Sequence, residues 1–261
     1  MLIVLEGLDG AGKSTQVKKL REYLTARCGH RHRRLCQFPG PVCRQQDGHS
    51  HLRSRVQRRA RCGELEYIHF PRYESAVYGD LISRFLRGEF GPNDAVHPQL
   101  VALLFAEDRH AAADEIKAKL AEGKMVLLDR YVYSNIAYQC AKLSDSQEAE
   151  RLRKWIFDVE YGAFGEPVPD LNIFLDVPIT FVEKNLASSR EGDDRSYLVG
   201  AQDIHEASIA FQSRVRQMYL RQAELDPSFK VLGCSDESGA MESPDVIFAS
   251  LKKMVDEAID R

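Results

Sequence analysis

The run Gly7-Leu8-Asp9-Gly10-Ala11-Gly12-Lys13-Ser14 matches G-x-x-x-x-G-K-[ST] at every fixed position, and Thr15 follows it. Glycines let a backbone curl until successive N–H groups point at phosphate oxygens, and a helix starting there adds the positive end of its dipole. Lys13 is then placed to reach β- and γ-phosphates, and the Ser14 hydroxyl to ligate Mg²⁺. Residues 7–15 therefore read as the holder of a nucleoside triphosphate. A second charged pair, Asp129-Arg130, ends the apolar run Val126-Leu127-Leu128. That puts an acid and a base at the carboxyl end of a strand, where α/β proteins bind ligands.

For the loop to work, a strand must deliver it and a helix must leave it. Leu2 to Leu5 is a short apolar run that predicts a buried parallel strand, and Lys13 to about Ala26 carries Val17, Leu20 and Leu24 on one helical face. Further strands are expected at Leu65–Phe70, Met125–Leu128, Leu171–Val177 and Phe229–Leu232. Helices are expected over Ser75–Leu86, from Pro98 toward Leu120, over Tyr133–Leu143 and Glu148–Tyr161, from Pro178, over Gln202–Leu225, and from Pro244 behind Ser243 as N-cap. Short strands alternating with helices predict an α/β, three-layer P-loop NTPase fold, with a five-stranded parallel sheet flanked by helices.

The acceptor narrows by exclusion. The chain has no Asn-Lys-x-Asp motif for reading guanine and no apolar run ending in Asp-Glu, as a motor ATPase would want. Five pieces stand out: Leu5-Glu6 with the loop through Thr15, Phe70-Pro71-Arg72-Tyr73, Leu104-Phe105-Ala106-Glu107-Asp108-Arg109, Asp129-Arg130-Tyr131 on through Ser134-Asn135 and Tyr138, and Pro169-Asp170-Leu171. In these pieces the chain resembles the thymidylate kinase family. They stand in family order over nearly all of residues 1–26 and 63–261.

The resemblance implies transfer of the γ-phosphoryl group of ATP, with Mg²⁺, to the 5′-phosphate of dTMP, giving dTDP and ADP. Joining two polyanions is mostly a matter of neutralisation and alignment. By resemblance, Arg72 and Arg130 hold the dTMP phosphate, Phe70 stacks on thymine, Arg109 donates to O4 and Asn135 faces N3. Tyr73 and Tyr138 crowd the sugar, and Asp9 positions the substrate or its Mg²⁺. Some family members carry Arg directly after that acid. Here the place is Gly10, so Arg190 and Arg195, in the polar stretch taken as a lid at about 188–199, are the candidates for meeting transition-state charge. The residues alone also admit a related kinase with another nucleoside or nucleotide acceptor, or a nucleotide-binding protein inactivated by an insertion.

That insertion is the window near residues 28–62. Ala26-Arg27-Cys28-Gly29 recurs as Ala60-Arg61-Cys62-Gly63, and excising one repeat with everything between leaves a short helix-to-strand turn. Residues 27–62 hold ten Arg, no Lys and one acid, with four of the eight His and four of the six Cys. An anion site, a zinc site on those Cys and His, and an insert without function compete, and biased composition favours the last.

Elsewhere the chain is ordinary: 261 residues, 44% hydrophobic and 29% charged, read as one kinase domain over 1–261. No apolar run approaches 18 residues and the start lacks a basic n-region, so a cytoplasmic protein is expected, with Cys140 and Cys234 reduced. The resemblance implies a homodimer, and neither a membrane nor a nucleic-acid partner is expected. The net charge of −3 is a cancellation, because residues 29–62 contribute +8 and the remainder −11.

Overall fold

A computed structural model of the chain describes residues 1–35, 64–188, 197–199 and 203–260, with side chains in the first segment to Arg27. Five parallel strands form one sheet in the order β2-β3-β1-β4-β5: β1 Leu2–Gly7, β2 Leu65–His69, β3 Met125–Asp129, β4 Leu171–Asp176 and β5 Phe229–Gly233. The central strands are apolar on both faces because helices cover both. Ile3, Val4, Leu5, Val126, Leu127, Leu128, Ile173 and Phe174 are all fully buried. Asp170 joins the sheet's start by accepting from Leu2 N at 2.7 Å.

Helix α1 (Lys13–Leu35) packs on α8 (Pro244–Ile259) on one side of the sheet. On the other side α3 (Pro98–Ala121), α5 (Ser146–Phe157) and α7 (Ile209–Leu225) each pack against α4 (Val132–Cys140). Helices α2 (Tyr78–Leu86) and α6 (Ile179–Ala187) complete the set. Register aligns the carboxyl ends: Leu5 and His69 both sit beside Asp129, so the phosphate loop, Phe70 and Arg130 leave the sheet at one edge. The chain leaves β1 toward β2 and β4 toward β5, in opposite directions, which opens a crevice at that edge.

Several boundaries differ from the expected ones. The helix expected from Ser75 starts at Tyr78, because residues 72–75 close a turn (Ser75 N to Arg72 O, 2.9 Å). The helix expected from Gln202 starts at Ile209, where Ser208 caps by accepting from Phe211 N, and Asp203 holds a separate turn before it. Strand β2 stops at His69, and α4 ends at Cys140. The helix expected over Glu148–Tyr161 ends at Phe157 and continues as a π-helical turn, Asp158–Ala163. Helix α1 runs past Ala26 to Leu35, so the first residues of the expected insertion belong to it; residues 36–63 lie outside the described residues, as do Arg190 and Arg195.

Candidate active site

The phosphate loop needs two backbone conformations that side chains disfavour. Gly10 and Gly12 both lie at φ 72°, in the left-handed region open to glycine. A Cβ on Gly10 would meet Leu186 at 3.3 Å, and Asn185 Nδ2 donates to its carbonyl at 2.7 Å. This position therefore delivers no side chain to the reaction. Lys13, at the first position of α1, is buried and donates to Asp129 Oδ1 at 2.5 Å. Ser14 and Thr15 are exposed beside it.

Across the crevice lies a hollow of about 540 Å³, its open mouth included. Asp9, Phe70, Tyr73, Arg109, Arg130, Asn135 and Tyr138, all expected site residues, line it. Phe70 is buried, the Phe70–Pro71 peptide is cis, and the ring lies 6.0 Å from that of Tyr131. Arg109 is clamped by Glu160 at 2.5 and 2.8 Å, and Glu160 also accepts from Asn135 Nδ2 at 2.8 Å. The other end of that amide, Asn135 Oδ1, and Gln139 Oε1 have no hydrogen-bond partner among the described residues although both are buried. A ring with polar edges is the group that such a wall could satisfy.

Arg72 is brought near but not into the hollow. Its side chain donates to Asp108 Oδ1 at 3.1 Å and to Asp108 O at 2.6 Å, and its guanidinium lies 5.8 Å from the Phe70 ring centre. Tyr73 stacks on Tyr197 with ring centres 3.9 Å apart, and Tyr197 donates to Asp203 at 2.6 Å.

Asp9 is the hub between loop and hollow. It accepts from Arg130 Nη2 at 2.5 Å, Tyr138 OH at 2.8 Å and Gln212 Nε2 at 2.9 Å. Burial alone would raise its pKa; the charge of Arg130, with the hydrogen bonds from Tyr138 and Gln212, outweighs that and holds it below the usual carboxylate value. Asp129 is likewise held low against burial, chiefly by Lys13. Burial pushes Asp203 up to about 7, helped by the negative charge of Asp9. It pushes His205 down to about 3, so that ring is neutral, and its Nε2 is unpartnered among the described residues.

A Mg²⁺ beside phosphates needs only one or two protein oxygens. The exposed Ser14 hydroxyl and Asp129, the strand-end acid bonded to Lys13, are hard oxygen donors that fit this need. Asp9 has both oxygens engaged by three donors, so it would meet a metal only by releasing one of them. Next to the loop, a second hollow of about 380 Å³ is lined by Gly12, Thr15, Gln16, Phe181, Cys234 and Pro244 among others.

Sequence reasoning missed Glu160, Gln139, Asp203, His205 and Gln212. Gln139 directly follows Tyr138 and could have been found by helical spacing from Asn135. Glu160 carries no local signal, since it is turned inward by the π-helical turn.

The family model described as "Thymidylate kinase" matches residues 48–243. A thymidylate kinase of Mycobacterium tuberculosis is 29% identical over 219 residues, 84% of each chain. A probable thymidylate kinase of Pyrococcus horikoshii is 30% identical over 234 residues, 88% of this chain and 86% of that one. Among solved structures, thymidylate kinase from Candida albicans superposes with TM-score 0.61 at 23% identity, covering 98% of this chain and 91% of that one, a likeness of fold. By the matched model and these relatives, the chain belongs to the thymidylate kinase family.

Proposed function

We infer that this chain transfers the γ-phosphoryl group of ATP to the 5′-phosphate of dTMP. The observation that carries the reading is the meeting of two sites at one sheet edge: the Lys13 loop and the Arg130, Arg109, Asn135 and Phe70 hollow, joined by Asp9. Triphosphate enters residues 7–15, with adenine in the hollow beside Thr15. Lys13 exchanges Asp129 for β- and γ-oxygens. Ser14 and Asp129 would hold a Mg²⁺, which would supply charge neutralisation between the phosphates.

On the acceptor side, Phe70 offers a flat apolar face to thymine, and Arg109 donates to O4 while its partner Glu160 keeps it in plane. Asn135 Oδ1 can accept from N3–H. Cytosine presents a donor where thymine has O4, so Arg109 would face it unpaired. Arg130 and Arg72 take the 5′-phosphate. A phosphate monoester is largely dianionic at neutral pH, its second pKa being about 6. The nucleophile therefore needs alignment rather than a general base, and Asp9 serves by aiming Arg130. Arg190 and Arg195 would close over the transferring group as a lid. We read the protein further as a cytoplasmic homodimer, on the strength of the family; among the described residues no helix is long and apolar enough to cross a membrane.

An ADP-coupled assay across dTMP, dUMP, UMP and dCMP tests the reading. Turnover with dTMP above the others is expected. Preference for UMP or dCMP, or binding of ATP and dTMP without dTDP, would overturn it.

A further inference from the structure

Arg130 has φ 68°, in the left-handed region that a residue with a Cβ seldom adopts. Such a turn persists only where its surroundings over-determine it. The grip comes from the end of β1. Leu5 O accepts from Arg130 N at 2.9 Å, and Glu6 Oε1 accepts from the next amide, Tyr131 N, at 3.0 Å and from Ser134 N at 3.3 Å. Glu6 is fully buried, and its Oε2 meets the hydroxyls of Ser134 and of Tyr219 on α7, the latter at 3.1 Å. Ser134 Oγ also accepts from Arg130 Nη1 at 3.4 Å. One side chain thus holds the peptide just after the strained residue, caps the first turn of α4, and orients the hydroxyl that touches the guanidinium.

We propose that Glu6 is the positioning residue for the acceptor phosphate: its carboxyl group keeps the strained 130–131 turn in the conformation that aims Arg130 into the acceptor hollow. The inference rests on the reading of Arg130 as the phosphate ligand. Glu6 touches no substrate; it acts through Arg130. Gln at this place preserves the grip, because its amide oxygen still accepts from the two N–H groups and its NH₂ donates to the two hydroxyls.

Steady-state kinetics on the full chain, with ATP and dTMP varied separately and folding checked by thermal melting, test this. For Glu6→Ala, kcat/KM for dTMP should fall about a hundredfold, the loss typical of misplacing a group by roughly an ångström, while the KM for ATP stays within about threefold. Glu6→Gln should recover most of that loss. If Glu6→Ala does not fold, Ser134→Ala, which removes only the bridging hydroxyl, should raise the dTMP KM about tenfold with the ATP KM unchanged. The inference is overturned by an unchanged kcat/KM for dTMP in Glu6→Ala or an unchanged dTMP KM in Ser134→Ala, by losses shared equally between ATP and dTMP, or by Glu6→Gln failing as badly as Glu6→Ala. A wild-type chain that binds dTMP without turnover overturns the kinase reading instead. The same variants are then scored by calorimetric dTMP affinity.

Discussion

Lys13, Arg130, Arg72 and Arg109, the cations assigned to phosphates and base, each already hold a carboxylate of their own: Asp129, Asp9, Asp108 and Glu160. Desolvated charges need such partners, and a substrate phosphate can replace a carboxylate without leaving the cation bare. Arg109→Gln would leave Glu160, fully buried, without its counter-ion. We expect it to lower stability by about 3–5 kcal/mol and the double variant Arg109→Gln/Glu160→Gln to regain much of that in denaturant melts. The double variant should still lose discrimination between dTMP and dCMP in the coupled assay. Glu6 adds a pH signature, since burial lifts it from 4.5 to about 7. Between those values the native state keeps a proton that the unfolded chain has released, so stability falls as pH rises. Glu6→Gln lacks this slope. Its stability relative to wild type should grow by on the order of 3 kcal/mol between pH 4.5 and 7. His205, pushed down to about 3, acts oppositely in both proteins, costing stability as pH falls below 6.5, and cancels in the comparison.

At the scale of elements, the first turn of α2 bears directly on the acceptor segment. A Cβ on Gly79 would meet Tyr73 O at 2.3 Å and Arg72 O at 2.8 Å, both backbone atoms that cannot swing away. Gly79→Ala should therefore displace the Phe-Pro-Arg-Tyr segment, costing about 1–3 kcal/mol by thermal melting and raising the dTMP KM while sparing that of ATP. The lid assignment carries its own expectation. Arg190→Ala or Arg195→Ala should lower kcat far more than it raises the dTMP KM; an effect confined to KM would make them ground-state binders.

Across the whole molecule, α1 is tied to α8 by Arg27, which meets Asp256 and donates to Asp260 at 2.7 Å. That anchor stands at residue 27, ahead of the stretch 29–62. A chain lacking residues 29–62 should keep its dTMP turnover and its melting temperature, while its net charge changes from −3 to −11. Loss of turnover in that chain would argue that the window contributes to the site. Without it the chain has a clear excess of acid, and positive charge at the site comes locally from Lys13, Arg72, Arg109 and Arg130 rather than from a global field.

The chemistry of the donor side was legible in the order of residues, because a phosphate loop is built from neighbours: strand, glycines, Lys13 and helix follow one another, and local spacing decides their geometry. Phe70, Arg109, Arg130, Asn135 and Tyr138 were legible through family resemblance, and the hollow does bring them together. The helices expected from Ser75 and Gln202 start at Tyr78 and Ile209, because turns compete with helical periodicity there. What only the tertiary structure decided was partnership. In the sequence Glu6 is only a member of the piece that matches at the phosphate loop and Glu160 carries no signal, yet Glu6 meets the Arg130 turn 125 residues away and Glu160 meets Arg109 across 51. Those pairings arise from strand register, a π-helical turn and the burial that makes an unpaired charge costly, none of which local residue spacing encodes.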